Sequence, residues 1–277
     1  MEFYGITRKK ATQMKYIRNN ETINKYLAGM FDGDGNVHVS VKTKQDNGNT
    51  YHTRDIRFQI SLKNEERNVK VLEWFCDHYE VGNLKVKPAG TRTEMIEWTV
   101  YGKTAISLLN RFKKHCVIKG LHIDRSIWMY DRLNKKKASS AAVSRYRKWS
   151  RDNTKSIKPK NHVTWAWLAG YTDADGSIQH RAEKGRCLRY NCHTRDRAAI
   201  DLIAKSFGRT HKVVEQTIEG GNYLLLILPM GLSDRSLGHK ILPKLVPHLK
   251  LKRWQAEQIL SYYNSNNSFV DPLAETK

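Results

Sequence analysis

The sequence lacks what a secreted or membrane protein needs. Four cysteines, Cys76, Cys116, Cys187 and Cys192, are dispersed along 277 residues, and only the last two lie near each other. That spacing supports no disulfide framework, and Cys187-x4-Cys192-His193 has no second ligand pair at zinc spacing. No apolar run reaches the length of a membrane span, and Met1-Glu2-Phe3-Tyr4 opens no secretory signal. The expectation is an intracellular, non-secreted protein without a membrane partner, in a prokaryotic cytoplasm or an organelle matrix or stroma. Acidic residues are also scarce, 27 Asp and Glu against 49 Lys and Arg, a formal net charge of +22. Such an excess attracts a polyanion and makes its binding salt-sensitive. The length allows two domains of ordinary size, each with a modest core.

What the chain does contain is one stretch written twice. Leu27-Ala28-Gly29-Met30-Phe31-Asp32-Gly33-Asp34-Gly35 returns as Leu168-Ala169-Gly170-Tyr171-Thr172-Asp173-Ala174-Asp175-Gly176. Each copy follows an aromatic, helix-compatible lead-in, Tyr26 in one and Trp165 and Trp167 in the other, and precedes strand-like alternation. Gly29 and Gly33, like Gly170 and Ala174, are four apart and share a helix face, so two such helices can approach backbone to backbone. Glycine costs a helix about 1 kcal/mol relative to alanine, which close packing must offset. Asp34 and Asp175 then fall at the C-terminal helix ends, where they oppose the helix dipole and, if the copies face each other, repel one another. A divalent cation relieves both penalties.

These two stretches resemble the signature of the LAGLIDADG homing endonucleases in their single-chain, two-motif form. The resemblance implies an α+β fold: two pseudo-twofold-related αββαββα units forming a saddle of antiparallel sheets, with the motif helices packed at the centre. It implies a protein monomer, encoded within an intron, that cuts both strands of a long, asymmetric double-stranded DNA target and leaves short 3′ overhangs. By the same resemblance Asp34 and Asp175 bind catalytic Mg²⁺, aided by the backbone carbonyls of Gly33 and Ala174, with Mn²⁺ or Ca²⁺ able to occupy the same sites. Asp32 and Asp173, the other motif acids, are expected to be structural. Val246-Pro247-His248-Leu249-Lys250-Leu251-Lys252 resembles the family segment that carries an active-site lysine, whose place falls on Lys252, and Lys114-His115-Cys116-Val117-Ile118-Lys119 puts its counterpart at Lys119. The family's water-organising glutamine falls on Leu62 in the first unit and His193 in the second, with Lys63, Asn64 and Arg195 as neighbouring substitutes. An RNA-binding intron maturase on the same fold, with its own intron RNA as partner, is the main alternative. A non-catalytic DNA-binding regulator is a weaker one.

Taken in order, residues 1–21 read as a basic arm, 22–133 as the first unit, 134–160 as a basic linker, 161–263 as the second unit and 264–277 as a tail. Asn24, or Thr22, is a plausible cap for the first motif helix. Val37, Val39 and Val41 alternate with Asn36, His38, Ser40 and Lys42, continuing to Lys44, and the return strand offers Arg54, Arg57, Gln59 and Ser61. One apolar face backed by Arg, Gln, Asn, Ser and His suits a major-groove reader, Arg pairing with guanine and Gln or Asn with adenine. Lys85 and Lys87 alternate on the next strand. The second unit repeats the order with a shorter hairpin, through Ser177, Gln179, Arg181, Lys184, Arg186, Arg189, Asn191, His193 and Arg195.

Overall fold

Both motif stretches fold as helices, and everything else is arranged about their contact. A computed structural model describes residues 20–46, 49–88, 93–135, 163–181, 187–194, 197–206, 212–218, 221–229 and 237–265, with positions 141, 144, 145 and 148. Most of the basic arm, the linker and the tail, together with Lys184, Arg186 and Arg195, lie outside the described residues. Helix α1 (Glu21–Asp34) begins one turn earlier than expected. Its cap is Asn20, whose side chain accepts from the N–H groups of Thr22 and Ile23 at 3.1 and 3.4 Å. Asn24 is no cap: it is buried within the helix and accepts a 2.8 Å bond from the Tyr79 hydroxyl. Thr22 is likewise inside the helix.

From α1 the chain runs through β1 (Gly35–Asp46), β2 (Asn49–Lys63), α2 (Glu66–Tyr79), β3 (Asn83–Lys87), β4 (Met95–Tyr101) and α3 (Gly102–Phe112). A 3-10 turn, Lys113–His115, leads on to α4 (Gly120–Lys135). The second unit repeats this series with α5 (Trp165–Ala174), β5 (Gly176–Arg181), β6 (Cys187–Thr194), α6 (Arg197–Ser206), β7 (Lys212–Ile218), β8 (Gly221–Pro229) and α7 (Leu237–Leu245). The 3-10 turn Val246–His248 and α8 (Arg253–Ser265) complete it. Each unit therefore ends in a pair of helices, one more than the αββαββα shorthand.

The antiparallel sheets have corresponding orders, β1-β2-β4-β3 and β5-β6-β8-β7. In the first, period-two alternation buries Val37, Val39, Ile56, Phe58, Ile60, Leu62, Ile96, Trp98 and Val100 on one side. Phe58 meets Phe31 of the motif helix at 5.7 Å between ring centroids and Trp98 at 5.0 Å, so the helix is fixed to its own sheet through aromatic contacts. The two units meet where α1 crosses α5. A Cβ on Gly29 would run into the Trp167 carbonyl, and one on Gly170 into the Tyr26 carbonyl, so each glycine admits the other helix's backbone. One turn on, a Cβ on Gly33 would collide with that of Ala174. The result is an α+β saddle of two pseudo-twofold units with the motif helices at its centre.

Candidate active site

The ends of the crossed helices bring together four carboxylates and two lysines from four separated stretches of chain. Asp32 is buried, and its carboxylate accepts from the backbone N–H groups of Val117 (2.7 Å), Ile118 (3.1 Å) and Lys119 (2.7 Å). A fourth bond comes from the other unit, from Trp167 Nε1 at 2.9 Å. Asp173 repeats the set with Lys250 (2.7 Å), Leu251 (3.1 Å), Lys252 (2.9 Å) and the Tyr26 hydroxyl (2.8 Å). Thus each sixth-position acid fixes the segment that delivers its unit's lysine, and the aromatic residue just before each motif closes the acid of the opposite unit. Burial pushes both carboxyls upward and these hydrogen bonds oppose it. Burial, and Asp173 beside it, raise the Tyr26 hydroxyl well above its ordinary value.

The lysines turn back onto the helix ends. Lys119 Nζ donates to the carbonyls of Phe31 (3.1 Å), Gly33 (2.6 Å) and Gly35 (2.9 Å). Lys252 Nζ donates to Thr172 (2.6 Å), Asp173 (2.9 Å), Ala174 (3.5 Å) and Gly176 (2.7 Å). A positive charge therefore sits at each negative dipole end, where the sequence reading put a divalent cation with these lysines nearby. Burial lowers both lysines from their ordinary values, against the pull of nearby carboxylates. On each lysine the eighth-position acid of the opposite unit acts more strongly than its own: Asp175 on Lys119, Asp34 on Lys252.

Asp34 is the last residue of α1 and Asp175 follows the last residue of α5. Asp34 is pushed up to about 6, first by burial and then by Asp175, with Lys119 and Lys252 pulling the other way. Two mutually repelling carboxylates beside the Gly33 and Ala174 carbonyls form an oxygen-rich set that fits a hard divalent cation. Both carbonyls already accept from a lysine, so any cation would share them or displace that contact.

Residues 27–125 match the family model described as LAGLIDADG endonuclease. Meganuclease I-SmaMI, in a crystal structure bound to uncleaveable DNA, is similar over 88% of this chain and 92% of its own at 14% identity, with a TM-score of 0.66. The LAGLIDADG homing endonuclease I-GzeII, in complex with its DNA target, is similar over 87% and 89% at 14% identity, with a TM-score of 0.63. I-SmaMI bound to an uncleaved DNA target in the presence of calcium ions gives 14% identity over 87% and 90%, also at 0.63. No curated protein sequence matches. At these identities the likeness to the solved structures is one of fold.

The sheet faces away from the core carry most of the nominated polar residues. Strand register aligns Asn36 with Gln59, His38 with Arg57 and Ser40 with Asp55, and Ser61 joins that face beside Glu97. Lys42 and Lys44 follow in the same alternation. Arg54 does not join them, because it pairs with Val41 and lies in phase with Ile56, on the face that carries the core. Lys85 pairs with Glu97 across β3 and β4, and Lys87 makes a 2.5 Å ion pair with the same carboxylate. In the second unit Ser177 pairs with Asn191, Gln179 with Arg189 and Arg181 with Cys187.

Register also corrects the glutamine alignment. Gly35 pairs with Ile60 and its equivalent Gly176 with Cys192, so His193 corresponds to Ser61, and Leu62 corresponds to Thr194. Leu62 is a core residue, 5% exposed. Sequence reasoning missed Tyr26, Trp167 and Glu97 as polar partners. The first two announced themselves only by immediately preceding the repeats. Glu97 stood at a polar phase of an otherwise apolar strand.

Proposed function

We propose that the chain is a site-specific endonuclease that hydrolyses one phosphodiester on each strand of a long, asymmetric DNA target, leaving short 3′ overhangs. The observation that carries this reading is the paired end of the motif helices, with two carboxylates and two buried lysines under two polar sheet faces. Asp34 and Asp175 would hold the divalent cation, Mg²⁺ by preference, with Gly33 and Ala174 carbonyls as auxiliary donors. When bound, such a cation supplies an activated water and charge stabilisation at the scissile phosphate.

The lysines act as fixed cations. All three ammonium hydrogens of Lys119 have a carbonyl acceptor, and those of Lys252 meet four, so both side chains are protonated donors without a free lone pair. Their work is to offset negative charge developing on the phosphate, which a buried, pre-oriented ammonium does effectively. Proton acceptance falls to solvent or to the phosphate. Asp32 and Asp173 hold each lysine's segment in place. Asn36, His38, Ser40, Arg57, Gln59, Ser61, Ser177, Gln179, Arg189 and Asn191 line the faces that meet base edges, and Lys42, Lys44 and Lys85 contact the backbone. Unequal sheet faces suit a target without dyad symmetry. The protein works as a monomer and comes from an intron reading frame.

A magnesium-dependent cleavage selection on a randomised duplex library, run beside Asp34→Asn and Asp175→Asn, tests this. The expected result is one long preferred site cut on both strands by the unsubstituted chain alone. A folded protein that enriches no cut site yet binds its own intron RNA would make it a maturase instead.

A further inference from the structure

An acid without a neutralising partner stands on the polar face of the first sheet. Asp55 pairs with Ser40 across β1 and β2 and lies in phase with Arg57, Gln59 and Ser61. Strand β4 ends at Tyr101, the partner of Arg57, so at Asp55 the described sheet has narrowed to the β1–β2 hairpin. Asp55 is half-buried, and neither of its carboxylate oxygens is shut off from solvent. Among the described residues it makes no hydrogen bond or ion pair. Glu97, an acid on the same face, differs in both respects. It is 3% exposed and accepts from Ser61 Oγ at 2.8 Å and Lys87 Nζ at 2.5 Å. Glu97 is therefore answered within the sheet, whereas Asp55 presents its acceptors to whatever the sheet meets.

On this basis, which rests on the DNA reading above, we propose that Asp55 is a specificity-determining residue that selects cytosine on the strand it contacts. A carboxylate only accepts, and beside DNA it meets phosphates of its own sign, so its desolvation is offset only where the groove supplies a donor. Base edges in the major groove supply two, the N4 amino group of cytosine and the N6 amino group of adenine. The N7 and O6 of guanine and the O4 of thymine are acceptors and repel it. Adenine sets its N7 acceptor beside N6, against the second carboxylate oxygen, while cytosine has only carbon beside N4 on that edge. Cytosine is therefore first and adenine second. The second unit does not repeat the acid. With Gly35 and Gly176 equivalent, register puts Arg181 and Cys187 in the places of Ser40 and Asp55. This residue by itself makes the two half-sites unlike at one pair of dyad-related positions.

The test is base preference at every target position, read by selecting bound duplexes from a randomised library with the full chain, beside Asp55→Ala and Asp55→Asn. Neither substitution removes a contact that Asp55 makes among the described residues, so both variants should fold. The unsubstituted chain should favour cytosine about ten-fold at one position of the first unit's half-site. Asp55→Ala should level that position and leave the others as they were. Asp55→Asn should move the preference there from cytosine to adenine, because an amide can donate to N7 while its oxygen accepts from N6. An Asp55-dependent preference for any base but cytosine would overturn the proposal, as would an Asp55→Asn protein that keeps cytosine as strongly as before. Enriched duplexes whose profiles ignore Asp55 overturn this proposal only; no enriched duplex at all overturns the DNA reading with it.

Discussion

The two units agree at their centre and part company on their sheet faces. At the centre the correspondence extends to individual hydrogen bonds: three backbone N–H groups and one opposing aromatic on each sixth-position acid, one lysine folded over each helix end. On the faces, register equivalents differ in kind, Glu97 against Leu225, Thr99 against Ile227 and Lys85 against Val214. The centre admits little change because each acid serves both units, so a substitution there leaves buried polar groups in two places without partners. The faces look outward and each residue answers chiefly to whatever the sheet meets.

The most damaging way to break the correspondence is to fill the helix crossing. Gly29→Val and Gly170→Val should each cost more than about 4 kcal/mol, because the added atoms meet opposing backbone rather than a yielding side chain. Loss of the cooperative thermal transition would record it, and similar losses from both would show that neither unit's motif helix stands alone.

Lys119→Met and Lys252→Met should divide the activity instead of the fold. Each is expected to slow cleavage of one strand about 100-fold or more and leave the other strand faster, so that nicked product accumulates. Strand-specific end labelling of a linear duplex target would show it; equal loss on both strands would mean that the lysines serve one shared centre.

Asp34 allows a gentler comparison, through pH. Its folded-state carboxyl, raised to about 6, makes the ionised form costly in the metal-free protein. At pH 8 that cost is at most about 3 kcal/mol, and it falls below about 1 kcal/mol by pH 4 as the proton binds first to the folded state. In chelator, Asp34→Asn should therefore be the more stable protein at pH 8, with the gap closing toward pH 4 in denaturant titrations. Metal-dependent cleavage by the unsubstituted chain should fall as pH drops through about 6, because the cation requires the carboxylate.

The smallest effect belongs to the helix starts. Asn20 caps α1 with two hydrogen bonds and Thr164 caps α5 with one, to the Trp167 N–H at 3.2 Å. Asn20→Ala should cost about 1 kcal/mol and Thr164→Ala no more than that, measured by denaturant midpoint.

Much of the fold could be read from the chain because its signals are local. The repeat of Leu-Ala-Gly and two acids, and the alternation of Val37, Val39 and Val41 with polar neighbours, each concern a few adjacent residues. The helix start was misplaced because Asn24 looks like a cap in sequence, and only the presence of Tyr79 beside it shows that its amide faces inward. Arg54 was grouped with the groove-facing residues although its phase matched Ile56, and pairing with Val41 settles the face.

By itself, the sequence determined that there are two units, that each begins with a helix bearing two acids, and that the surface favours a polyanion. Tertiary structure alone decided what each acid does. Asp32 and Asp34 are two residues apart in the same helix, yet one turns into backbone donors some 85 positions away while the other faces its counterpart's carboxylate. The physical reason is that a carboxylate's character is set by the donors and charges around it, and here those come from distant segments and from the opposite unit, which no local pattern encodes.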